Sequence, residues 1–84
     1  MKSMENVGIE FLRAEALAGL TFSKIALQSR YQEKKDRNRA KARKAYDTLL
    51  RYMPRDNATL ESWEEIRAKV AELHSLLQQL GEDI

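Results

Sequence analysis

The chain is predicted to be all-α, an antiparallel three-helix bundle with enough apolar surface left over to self-associate. Three observations predict it. One proline and three glycines are the only strong breakers in 84 residues, and helix formers fill most of the rest. Apolar residues recur at alternating steps of three and four through the last third of the chain. The few breaks that exist, at Pro54, at Gly81 and around Ser29, cut the chain into pieces of helical length. One domain, residues 1–84, follows, with helices at about 5–28, 32–53 and 59–80. At this size a single core supplies only roughly 3 to 5 kcal/mol, so association with a second copy would help it.

The first helix is apolar over an unusually wide arc. At 100° per residue, Ile9, Phe11, Leu12, Ala16, Leu20, Phe22 and Ile25 spread over roughly 240°, while Leu17 stands among polar residues. Such a helix is either packed between two others or buries a second face in another subunit. Phe11, Leu17 and Phe22 are the candidate self-association residues. Ser29 with Gln32 fits a capping box that opens the second helix; a single bent helix through this region is the alternative.

The second helix changes character midway. Ala42, Ala45, Tyr46, Leu49, Leu50 and Met53 form a core face by their spacing. Before them, Lys34, Lys35, Arg37, Arg39, Lys41, Arg43 and Lys44 surround the helix on nearly every side. Cations near a helix N-terminus oppose the macrodipole, so local stability does not explain them. Pro54 stops this helix by excluding the α conformation from Met53.

The third helix carries the clearest pattern: Trp63, Ile66, Val70, Leu73, Leu77 and Leu80 make a seam, with Leu60 ahead of it. Thr59, or Ser62 with Glu65, is the expected cap, which places Glu61, Glu64 and Glu65 at the favourable end of the dipole. Gly81 reads as a C′ glycine. A short link between the second and third helices makes them antiparallel neighbours. Tyr46, Leu49 and Met53 then face Trp63, Ile66 and Val70, and the acidic start of the third helix nears Arg51 and Arg55.

Charge is segregated along the chain. Residues 30–55 carry ten basic and three acidic side chains, and residues 56–84 carry two and seven. Internal neutralisation is the favoured reading of this asymmetry. It covers only part, because near the basic half of the second helix the antiparallel arrangement offers just Glu72, Glu82 and Asp83. A positive end is left over.

Ala42, Tyr46, Leu49 and Pro54 resemble the second-helix landmarks of a tetratricopeptide repeat, and Gly19 to Phe22 resembles the Gly-x-x-aromatic step of its first helix. Leu49 stands where a small residue is usual, and roughly eleven residues more than the repeat allows lie between the halves. The resemblance implies a helical hairpin with Gly19, Ala42 and Tyr46 as close-packing positions, and a groove for a peptide. The chain also resembles small helical proteins of environmental bacteria, which implies no activity.

No catalytic constellation is present. His74 is the single histidine and sits at the edge of the seam, and there is no cysteine, so neither a metal site nor a disulfide is expected. Charges at Glu10, Arg13 and Glu15 interrupt the first apolar stretch, which argues against a membrane span or leader and for a cytoplasmic protein. Neither a cofactor nor an enzyme activity is expected. The function expected is a non-enzymatic interaction module that binds itself, a dimer in the simplest case, or another protein's helix or peptide. The alternative is nucleic-acid binding through Lys34, Arg37, Asn38, Arg39, Lys41, Arg43 and Lys44. Tyr31 and Tyr52 do not interleave with that run as a stacking platform would.

Overall fold

The structure, a computed structural model, describes residues 4–53 and 61–84, with side chains described over 8–53 and 63–84. It contains α1 (Met4–Gln28), α2 (Gln32–Tyr52) and α3 (Glu61–Gln79), packed as a three-helix bundle. Pro54, Arg55, Thr59 and Leu60 lie outside the described residues, as do the side chains of Glu61 and Ser62. Because α3 already begins at Glu61, Ser62 is inside the helix and does not cap it.

Two helices, not one bent one, occupy the first half, and the break between them differs from the expected capping box. The Ser29 hydroxyl turns back and donates to the Ile25 carbonyl at 2.7 Å. Tyr31 holds the N-cap position in extended backbone (φ −97°, ψ 126°) with no side-chain cap bond, and its carbonyl accepts from the Lys35 amide. Gln32 reaches forward to Asp36. A hydroxyl four residues past a helical carbonyl has that acceptor within reach, and here this local bond wins over the cap.

The other two ends follow the sequence. Met53 leaves the helix in extended backbone (φ −69°, ψ 140°), as a residue before proline must. Gly81 takes φ +95°, its amide donates to the Gln78 carbonyl, and the Glu82 amide donates to the Leu77 carbonyl. These paired bonds are a Schellman motif, which closes α3 and turns the chain back over the bundle.

α1 is the middle of the assembly. It packs most extensively on α2 and also along α3, while α2 and α3 share the smallest interface. Its broad apolar arc is therefore explained largely within one chain. α1 and α2 are antiparallel, and α3 returns alongside α1, with Lys24 Nζ 3.9 Å from Glu72. Gly19 marks the point where the three helices meet: a Cβ there would lie 2.6 Å from Leu73 Cδ2 and 3.2 Å from the Ala45 Cβ.

The core joins Leu12, Ala16 and Leu20 of α1 to Ala42, Tyr46 and Leu49 of α2 and to Trp63, Ile66, Leu73 and Leu77 of α3, with Met53 and Val70 packed against it. Leu50 departs from the predicted core face and is half exposed. On the wheel it lies about 100° from Leu49, beyond the arc that two neighbouring helices cover. Tyr46 is buried, and its ring meets that of His74, centroids 5.8 Å apart. Among the described residues Arg51 forms no ion pair with Glu64 or Glu65; Glu65 instead faces Lys69 on its own helix at 3.7 Å.

Candidate functional site

The basic run divides into two flanks on α2. The helix buries the side that carries Asn38, Ala42, Ala45 and Leu49, so residues to either side of that line become flanks, one toward α3 and one toward α1. Arg39 and Arg43 fall on the first flank. Lys34, Arg37, Lys41 and Lys44, spaced three, four and three apart, fall within an arc of about 80° on the second.

On the α3 flank, Glu82 receives both arginines. Arg39 Nε donates to Glu82 Oε2, and Arg43 Nη1 donates to Oε1 at 2.7 Å. Arg43 Nε also donates to Asp47 at 3.0 Å. The Glu82 side chain is only 16% exposed, and the bonds from Arg39 and then Arg43 hold its carboxyl below the ordinary glutamate range. The bonds to Asp47 and Glu82 push the Arg43 guanidinium up from an already high value. The Schellman turn makes this possible, since Gly81 reverses the chain immediately before Glu82 and its Cα faces the Arg39 guanidinium.

Asn38 is removed from the candidate nucleic-acid set. It is buried, and its amide donates to the Lys34 carbonyl at 2.9 Å. A side chain so placed has no free edge to offer a base.

The α1 flank keeps its charge. Lys34, Arg37, Lys41 and Lys44 are exposed and form no ion pair with a described residue. Lys41 lies over the Phe22 ring, 5.3 Å from its centroid. That contact fastens the flank to α1. At the head of this row Tyr31 is 75% exposed. An open cleft of about 370 Å³ lies there, lined by Ile25, Gln28, Ser29, Arg30, Tyr31 and Lys34.

The self-association candidates separate in the same way. Phe11 and Leu17 are 48% and 51% exposed. Phe22 is half-buried against the core beneath Lys41, at the border of the open surface. Apart from Phe11, about 120° from Leu17 on the wheel, the exposed described residues of α1 form a row, Glu10, Ala14, Leu17, Thr21, Lys24 and Gln28, at alternating steps of four and three. This is the side of the helix that α2 and α3 leave uncovered.

His74 stands beside Tyr46, half-buried, and no group of three potential metal ligands occurs among the described residues. No helix among them is long and apolar enough to cross a membrane. No family model matches the chain, and no match is found among curated proteins or solved structures.

Sequence reasoning missed two features. Glu82 was one of three acids opposite the basic end, and only the geometry of the C′ turn singles it out. Tyr31 does not interleave with the basic run in sequence, and its exposure beside a cleft at the head of the row depends on how α1 and α2 are joined.

Proposed function

We propose that the chain is a non-enzymatic interaction module that pairs with a second copy of itself through the outer face of α1. The observation that carries this reading is Leu17, about half exposed at the centre of the outer row of a helix whose other faces are used by α2 and α3, with Phe11 half exposed to one side of it. Ala14 and Thr21 flank Leu17 on the outer row and keep it low enough for a second helix to approach closely.

The charges on that row favour a like copy. Glu10 and Lys24 stand seven residues to either side of Leu17, and both are exposed. An antiparallel two-fold through Leu17 sets Glu10 of each copy across from Lys24 of the other, which is the self-complementarity an isologous interface needs. A face with one large apolar side chain at its centre makes a weak, reversible dimer, below the ~800 Å² per partner of a standard interface.

Analytical ultracentrifugation tests it. The wild-type chain is expected to dimerise at high micromolar concentration, and Leu17→Glu to sediment as a monomer with unchanged helix content. Glu10→Lys is expected to weaken the dimer, and adding Lys24→Glu to restore it. A wild-type monomer at millimolar concentration, or a dimer indifferent to Leu17→Glu, would remove this interface.

A further inference from the structure

We propose that the α1 flank of α2, together with Tyr31 at its head, binds single-stranded nucleic acid, the four cations taking phosphates and the tyrosine ring taking a base. Lys34, Arg37, Lys41 and Lys44 form a row about 15 Å long, at 1.5 Å per helical residue. Each is exposed and unpaired among the described residues. A row of like charges is complementary to a polymer of regularly spaced anions, and a nucleic-acid backbone is such a polymer. The arginines that the protein uses for itself, Arg39 and Arg43, are on the other flank with Glu82, so the free row is separate from the charges that serve folding.

Tyr31 distinguishes a single strand from a duplex. Its ring is 75% exposed, beside the cleft that Ile25, Arg30 and Lys34 line. An exposed aromatic next to cations offers a π-face for an unpaired base, which a duplex keeps inside its stack. The cleft's apolar contribution from Ile25 suits the face of a base, and Lys34 suits the phosphate beside it. Glu33 borders the row and is the nearest acidic group of α2 on that side. Within α2, one carboxylate stands against four cations on that side.

The test is fluorescence anisotropy with a labelled twelve-residue oligothymidylate and a labelled duplex of the same length, at 50 and 200 mM salt. A single strand neutralised by four cations has a log-log salt slope of about −0.7 for each, so affinity is expected to fall about fiftyfold between the two conditions. Lys34→Gln with Lys44→Gln removes two contacts and should reduce that fall to about sevenfold. Tyr31→Ala should weaken the single strand by about fivefold or more while leaving the duplex unchanged. Circular dichroism on each variant verifies the fold, which these exposed positions do not support. The inference is overturned by absence of binding at 50 mM salt, by affinity indifferent to the two lysines, or by a silent Tyr31→Ala. Equal competition by polyglutamate would overturn it too, assigning the row to an acidic protein partner.

Discussion

The two flanks of α2 carry the same kind of residue and have different fates. On one, Arg39 and Arg43 meet a single carboxylate that a glycine turn delivers from the end of α3. On the other, Lys34, Arg37, Lys41 and Lys44 remain in solvent and form no ion pair with a described residue. Charge count does not separate these sets, since both lie in one basic stretch, residues 34–44. Which neighbouring helix each flank faces does separate them. α3 ends beside the first flank and offers its acidic C-terminal residues, whereas the second borders α1, whose adjoining Phe22 gives Lys41 an aromatic face instead of a counter-ion.

The largest effect on this contrast is expected from Gly81→Ala. A residue with a Cβ pays about 1–2 kcal/mol in the left-handed region that Gly81 occupies at φ +95°. The same change disturbs the turn that carries Glu82, so both the α3 cap and the arginine cluster weaken. A loss of about 1–2 kcal/mol, or roughly 5–15 °C in Tm for a domain of this size, is expected by thermal melting. An unchanged Tm would mean that the turn does not fix Glu82, and that the two flanks differ less than their geometry indicates.

A smaller effect should follow from Glu82→Gln. Arg39 and Arg43 retain access to water, so the variant leaves no buried charge stranded, and the expected loss is about 1 kcal/mol. The same pair predicts a pH dependence. Glu82 is held below its ordinary range in the folded chain, so its contribution is complete above the unfolded value of about 4.3 and is lost as pH falls through the lower folded value. Urea titrations stepped from pH 7 into acid should show the gap between wild type and Glu82→Gln narrowing as Glu82 protonates. A gap that did not narrow at any pH below the unfolded value would assign the effect to packing, not charge.

How much of this was legible in the sequence depended on whether the signal was local. The seam of α3 and the end of α2 before Pro54 were readable because periodicity and proline act within one segment, and the C′ role of Gly81 was readable for the same reason. The cap of α2 was misread because Ser29 had two acceptors within reach, and spacing does not say which it takes. Leu50 was assigned to the core because its spacing fits, but its burial depends on where α1 and α3 lie around α2. The candidate sites mixed both kinds. The seven-residue candidate set, six cations and Asn38, was visible as composition, yet its division into a cluster around Glu82, a buried Asn38 and an open row is a tertiary fact.

The smallest effect has the opposite sign. Arg37 stands three residues after Lys34 and four before Lys41, two like-charge neighbours on one helix face, and four after Glu33, an attractive pair that offsets one of them. Each such pair destabilises a helix by about 0.2–0.5 kcal/mol, and glutamine is nearly as good a helix former as arginine. Arg37→Gln is therefore expected to stabilise the bundle by the net of one such pair, about 0.2–0.5 kcal/mol at low salt, read as a rise in the urea midpoint at constant slope. Added salt should shrink the gain by screening the repulsion that the wild type carries. A loss of stability would show that Arg37 has a partner within the fold, and the division between the flanks would fail. A gain would mean that the open row is held at a cost to folding, the pattern expected where surface charge serves a contact outside the chain.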